Sequence, residues 1–335
     1  MKEKITIYTL AKELGMSPSM VSRAFNPNAR IAEDKRNLVL KKAQERGFSP
    51  NNMASRLSMK SIKIGVLSKC IFAPVSERLH SGILRAYEKL KDYKIEKKYV
   101  FLEDESDFEA EIQKLSDCDG VIVVGLSAPI YLPLLEKLKH AVKNVVQLQS
   151  CNEDFDSLFD SKHSEKIASE MAAEFLSDCL RRSESKNVVF FTGNSESAVH
   201  KRAKEYFIAG ARKGGLNILE CIDMKDDSLL LKEKTKEVFE KYRGIDAVYI
   251  SSGNSVELCD FIKKEKKDVF LVTFDLYEEI EEYIRESVIT ATICQNLEKQ
   301  GEAAFEALVN YLVKGEKAEK TIYTDVNLVM KANLI

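Results

Sequence analysis

Ser19, Ser22 and Arg23 fall at i, i+3 and i+4 spacing, which places two hydroxyls and a guanidinium on one face of a helix. That face can donate and accept hydrogen bonds and carries a fixed positive charge. Immediately before it, Ser17 and Pro18 mark a helix start: a Ser hydroxyl caps orphan amides, and Pro is tolerated at the first helical position. A second set of polar groups follows apolar runs of strand length further along: Ser68-Lys69, Gly125-Leu126-Ser127, Gln149-Ser150, Thr192-Gly193-Asn194, Ser251 to Asn254, and Asp275. Neutral polar groups with one acid suit a hydroxyl-rich ligand such as a sugar or sugar derivative. They do not form a phosphate cradle, and the chain has no P-loop and no dinucleotide fingerprint.

The first set needs two helices crossing within a short turn. Such a crossing requires a small side chain at the contact and a residue tolerant of positive φ at the corner, and Ala11 and Gly15 supply them. Val21 and Ala24 then fall on the inward face of the second helix, leaving the opposite face free to read. An ordinary three-helix lid would satisfy the same spacing, so charge has to separate the two readings. Through Lys60 the chain carries 12 Lys and Arg against 5 Asp and Glu, while the whole chain has a net charge of −2. A basic excess confined to one end is the electrostatic footprint of phosphate contact, and the acidic remainder would repel nucleic acid.

The second set needs parallel strands. Apolar runs at 62–67, 120–124, 144–148, 188–191, 247–250 and 269–274 alternate with amphipathic helical stretches at 77–91, 164–180, 203–213 and 256–264. Alternation of this kind predicts an α/β fold with parallel sheets covered by helices on both faces, which bind ligands at the carboxyl ends of the strands. The length after residue 60 allows two subdomains.

Catalytic and metal constellations are not assembled by the sequence. His80, His140, His163 and His200 lie far apart and read as solvated helix residues, and the carboxylates come in runs typical of an exposed face. Gly193-Asn194-Ser195 and Gly253-Asn254-Ser255 approach a nucleophile elbow, but both lack its second glycine. The seven cysteines, at 70, 118, 151, 179, 221, 259 and 294, are widely spaced and read as small core hydrophobes in a reducing cytosol. The expectation is no enzyme, no cofactor and no metal. With no apolar signal stretch after Met1 and no run long enough to span a bilayer, a cytoplasmic location and no membrane partner are expected.

Residues 5 to 67 resemble the DNA-binding region of the lactose/galactose repressor (LacI) family of bacterial transcription regulators. The resemblance rests on Tyr8, Ala11, Gly15, Ser17, Val21-Ser22-Arg23, Asn26, a third helix near Ala32 to Arg46, Gly47 to Asn51, Ala54 to Leu57 and Ile64-Gly65-Val66. It implies that Pro18, Ser19 and Arg23 meet base edges in the major groove and that Tyr8, Ser17, Ser22, Asn26 and Asn51 meet phosphates. Arg23 is the strongest candidate for direct readout, because a guanidinium can bond two acceptors on guanine. The segment from Asn51 through Ala54 to Leu57 is too short to hold a helix alone in water, where fewer than about 12 residues are marginal. The resemblance implies a hinge helix ordered on DNA, with Leu57 wedged into the minor groove. Thr9, Met20 and Ala32 depart from the family pattern, which usually has Asp, Thr and Ser there.

The remainder resembles the effector domain of the same family, whose fold is shared with periplasmic sugar-binding proteins of type I. Thr273-Phe274-Asp275, Gly253-Asn254-Ser255, Thr290 to Gln295 and Gln300-Gly301 carry this part. The implied effector residues are Asn254, Asp275, Gln295 and Gln149, with Ser127 and Arg202 as further candidates. Ala203 stands where many members hold the effector with an Arg, so either Arg202 has taken that role or the effector lacks a group for an Arg to grip. The expected layout is an all-α helix-turn-helix domain at 1–49, a hinge at 50–60 and an effector domain at 61–335. Its first lobe would span about 61–149 and 292–317, and its second about 151–290 and 318–335. The resemblance implies a regulator, a repressor, acting as a homodimer on near-palindromic double-stranded operator DNA and tuned by a carbohydrate. A DNA-tethered enzyme acting on a sugar derivative and a regulator answering to a protein partner are the alternatives.

Overall fold

The computed structural model describes residues 5–25, 29–46, 48, 61–69, 72–102 and 108–334. The chain divides into two compact units near Ser61.

The N-terminal unit contains helices α1 (Ile7–Glu13), α2 (Pro18–Ala24) and α3 (Glu33–Glu45). Leu10, Ala11, Val21, Ala24, Val39 and Ala43 form its core, so the inward face expected of the second helix is the buried one. Gly15 turns the corner at φ +64°, in the left-handed region that costs glycine least. The Ser17 hydroxyl accepts the Met20 amide at 3.2 Å, capping α2 behind Pro18. Thr9 also has a local use: its hydroxyl accepts the Thr6 amide while the Thr6 hydroxyl accepts that of Thr9, closing a capping box on α1. Ala32 starts α3 without a side-chain cap. The Arg36 guanidinium instead reaches back to the carbonyls of Ala24 and Ala29, at 3.2 and 2.8 Å, and fastens the exit of α2.

The larger unit has two six-stranded sheets. In chain order its elements are β1 (Ile62–Ser68), α4 (Ala73–Leu90), β2 (Ile95–Phe101), α5 (Phe108–Leu115), β3 (Gly120–Val124), α6 (Leu132–Ala141), β4 (Val145–Leu148), β5 (Asp160–His163), α7 (Glu165–Cys179) and β6 (Asn187–Thr192). There follow α8 (Ala198–Lys213), β7 (Asn217–Asp223), α9 (Ser228–Lys241), β8 (Ala247–Ile250), α10 (Val256–Lys264), β9 (Phe270–Phe274), α11 (Glu278–Arg285), β10 (Ala291–Cys294), α12 (Leu297–Lys314), β11 (Thr321–Thr324) and β12 (Asn327–Val329). The first sheet runs β11-β5-β4-β3-β1-β2 and is parallel throughout. The second runs β12-β10-β9-β8-β6-β7 and is parallel except at its edge, where β12 pairs antiparallel with β10.

Each sheet buries its own core, and the chain passes between them at 164, at 295–296 and at 325–326. These crossings differ from the expected ones. The chain does not leave the first lobe at residue 150; it loops back as β5, whose Ser161 and His163 point inward while Asp160 and Lys162 point less so. Such a short polar strand has no apolar run to announce it. Likewise β10 belongs to the second lobe and β11 to the first, and the parallel second sheet carries one antiparallel edge strand, β12.

In the first lobe α4 and α12 lie unusually close. A Cβ on Gly82 would sit 2.0 Å from the Glu298 carbonyl oxygen, and one on Gly301 would sit 2.3 Å from that of Leu79. Each glycine removes the side chain that would hold the other helix off. Among the described residues no helix is long and apolar enough to cross a membrane.

Candidate functional site

Strands of both sheets end at a common cleft of about 630 Å³ and present polar groups to it. From the first lobe come Lys69 after β1, Ser127 after β3, Gln149 and Ser150 after β4, and His163 ending β5. From the second come Asn194 after β6, Lys225 and Asp226 after β7, Ser251 to Asn254 after β8, Asp275 after β9 and Gln295 after β10. Phe72, Val75, Ala168, Ala203 and Phe274 supply apolar wall. The mixture of apolar faces with convergent donors and acceptors is that of a small-molecule site.

Asp275 is the deepest charged group. It is only 4% exposed, and its backbone is held at φ +68°, a conformation that costs a non-glycine residue free energy. The Thr292 hydroxyl bonds its carbonyl at 2.6 Å, and the Gln295 amide donates to its Oδ1 at 2.8 Å. Gln295 is in turn gripped by Gln300, which donates to its carbonyl at 2.8 Å. Burial raises the Asp275 carboxyl to about 7, an effect that the Gln295 hydrogen bond and the more distant Arg78 charge only partly offset. Gln149 takes the same left-handed conformation, φ +72°, at the end of β4.

His163 is buried beside them, with its ring 5.6 Å from that of Phe274 and its Nδ1 without a partner among the described residues. Burial, with help from the Lys162 charge, lowers it to about 4, so the imidazole is neutral through the physiological range. Asp226 organises the other wall. It accepts the Ser252 hydroxyl at 2.8 Å and the Asn194 amide at 3.1 Å, and it faces His200 at 3.5 Å. Asn254 donates to the Asp226 carbonyl at 3.2 Å and accepts from Ser228 at 3.1 Å.

Of the effector residues expected from sequence, Gln149, Ser127, Asn254, Asp275 and Gln295 all meet at this cleft. Arg202 does not line it. Its guanidinium is taken up by Glu165, at 2.7 Å, and by Glu153. His163 and His200 correct the reading of solvated helix histidines: one ends a buried strand, the other faces the cleft from α8. Along with Asp226 and Glu165 they are among the wall residues that sequence reasoning missed. The alternation of Ser161 and His163 was the sole signal for one; Asp226 follows a strand with no continuous apolar run.

The N-terminal unit carries the other candidate surface. Ser17, Pro18, Ser19, Ser22 and Arg23 are all exposed along α2, and Tyr8 is 75% exposed on α1. Asn26, Asn51, Ala54 and Leu57 lie outside the described residues. Cys118, Cys151 and Cys259 are buried, while Cys179, Cys221 and Cys294 are partly so; Cys70 is outside the described residues. Among the described residues no three His, Cys, Asp or Glu side chains are grouped to hold a metal ion.

Residues 81–317 match the family described as periplasmic binding protein domain. The chain belongs to that family. It is a family of binding domains, consistent with a cleft that assembles ligand-holding groups and with the reading that this chain is no enzyme. No curated protein sequence matches the chain. Solved structures share the fold: GanP, a glucose-galactose binding protein from Geobacillus stearothermophilus, superposes with a TM-score of 0.72 at 16% identity, over 82% of this chain and 99% of its own. A carbohydrate transporter solute binding protein from Agrobacterium radiobacter, in complex with D-arabinose, gives 0.71 at 16% identity, over 82% and 96%. A protein from Bacteroides fragilis described as a LacI transcriptional regulator gives 0.69 at 19% identity, over 82% and 98%. At these identities the shared property is the periplasmic-binding-protein fold.

Proposed function

We propose that the chain is a ligand-controlled transcription regulator, a repressor of the lactose/galactose repressor (LacI) family. It acts as a cytoplasmic homodimer on near-palindromic operator DNA and holds a sugar or sugar derivative between its lobes. The observation that carries this reading is the attachment of a basic three-helix unit, with an exposed hydroxyl and guanidinium face on α2, to a cleft domain of the periplasmic binding protein family. GanP accounts for nearly all of its own length but for 82% of this chain, so a solute-binding fold alone leaves part of the chain without a use.

In this reading residues 1–49 read DNA, 50–60 form the hinge and 61–335 bind the effector. Arg23, Ser19 and Pro18 face base edges, and Tyr8, Ser17, Ser22, Asn26 and Asn51 face phosphates. Ala54 and Leu57 approach the minor groove from the hinge. Asn254, Asp275, Gln295, Gln149 and Ser127 take the effector. The sugar is favoured by the chemistry of the wall, where amides, hydroxyls and a buried carboxyl supply both donors and acceptors, and by the ligands named for GanP and the Agrobacterium protein. A homodimer follows from geometry, since two readers about 34–36 Å apart meet successive major grooves. Edge strand β2 offers a contact for it: Phe101 is 59% exposed and stacks with Tyr99 and His80. Ligand and operator would be linked by a differential affinity, typically about 1–3 kcal/mol.

The test is titration of the full chain against duplex DNA at rising salt, repeated with Arg23→Ala. Affinity should fall steeply with salt, as counterion release requires, and the variant should lose base preference. A flat salt response would remove the regulator reading. A thermal-shift panel of monosaccharides, disaccharides and uronates tests the cleft separately.

A further inference from the structure

Arg202 sits on α8 in the second lobe, yet one of its partners, Glu153, lies in the β4–β5 loop of the first. Its other partner, Glu165, opens α7 in its own lobe at 2.7 Å and is 9% exposed, so the guanidinium is anchored on one side and reaches across on the other. The neighbouring residue, Ala203, and Glu165 both line the cleft, which places the bridge at the cleft wall. A second contact joins the lobes elsewhere. Phe72, between β1 and α4, stacks edge-on against Tyr277 at 5.6 Å, and the Tyr277 hydroxyl bonds the Gly253 carbonyl at 2.6 Å.

We propose that Glu153, Arg202 and Glu165 form an ionic clasp between the lobes, and that Arg202 positions the two cleft walls without touching the ligand. The chemistry supports the assignment. Glu165 bonds Nη2 and the Glu153 carboxylate lies against Nη1 as an ion pair, so the guanidinium charge is already met by two carboxylates of the protein. Glu165 fixes the guanidinium from within the second lobe, so the entropy cost of aiming it at Glu153 is already met inside the folded lobe. Glu153 is 57% exposed, so the cross-lobe half of the clasp is screened by solvent and salt. It can therefore open and close readily, whereas the buried Glu165 half stays made. The inference rests on the two-lobed cleft being the ligand site, but its test uses no ligand.

The test is a pulsed dipolar measurement of interlobe distance in the full chain without sugar. Spin labels are carried on unnatural amino acids at exposed His140 on α6 and exposed Glu233 on α9. Glu153→Gln and Arg202→Ala should each raise the ratio of long to short distances about fivefold, the change expected from losing a partly exposed ion pair of about 1 kcal/mol. Salt at about 1 M should move the parent protein the same way and leave Glu153→Gln unmoved. Glu153 is on an exposed loop and Gln is isosteric, so that variant keeps the fold even if Arg202→Ala loosens α7 from α8. Distances that superpose on those of the parent, with or without salt, would overturn the clasp and leave Arg202 as a tie inside one lobe. Failure of every sugar to bind would sink the sugar reading and leave the clasp result standing.

Discussion

Replacing Asp275 by Asn should stabilise the ligand-free protein at pH 8, and the size of that gain follows from its burial. The carboxyl has an ordinary value of 3.8 and is raised to about 7 in the fold. Between those values the folded state binds the proton more tightly than the unfolded state does. Asp275 therefore contributes full stability below pH 3.8, and that contribution is lost as pH rises through about 7. A shift of roughly three pH units corresponds to about 4 kcal/mol at 1.36 kcal/mol per unit, an upper figure because a buried site relaxes and admits water. Asn keeps an oxygen to accept the Gln295 amide at the 2.8 Å position and does not ionise. The difference between Asp275→Asn and the parent should be near zero at pH 4 and grow to a few kcal/mol by pH 8. For a domain of this size that is a gain on the order of 5–10 °C in Tm. Differential scanning calorimetry at unit pH steps reads this directly, and the comparison cancels every other titrating group, including His163. A variant less stable than the parent at pH 8, or a difference independent of pH, would refute the argument that burial without a contacting cation dominates this carboxyl. If the cleft holds its ligand through Asp275, the same variant should bind sugar more weakly while being more stable, a trade expected of a functional site.

His163 should stay neutral above about pH 5, so its ring nitrogens should not titrate between pH 5.5 and 8 in a nitrogen-edited NMR series; a midpoint near 6.5 would contradict its burial. Gly82→Ala places a methyl group against the Glu298 carbonyl and should cost about 1–3 kcal/mol or more in urea denaturation, because backbone has to move; Gly301→Ala should do the same against Leu79. Ser17→Ala removes the cap on α2 and should destabilise the N-terminal unit by about 0.5–2 kcal/mol, measured as faster amide exchange at Met20 and Val21.

Local chemistry was legible from the sequence. Pro18 after Ser17, Ala11 and Gly15 around the turn, and Val21 with Ala24 opposite Ser19, Ser22 and Arg23 are decided within one or two helical turns. The spacing of side chains therefore determines them, and the packed face and capped start are found as expected. The same holds for strands with continuous apolar runs, whose polar ends announced most of the cleft wall. What the sequence could not decide is which strand pairs with which. β5 is four polar residues that gain their place only by lying between β4 and β11, and that pairing turns His163 from a surface histidine into a buried one. Arg202 tells the same story. Its charge is evident in the sequence, but whether it meets a ligand or two carboxylates depends on a loop from the other lobe. Short-range order in this chain is set by side-chain spacing and propensity, whereas burial, altered protonation and the contacts across the cleft arise only when strands and loops distant in sequence are brought together by the sheets and lobes.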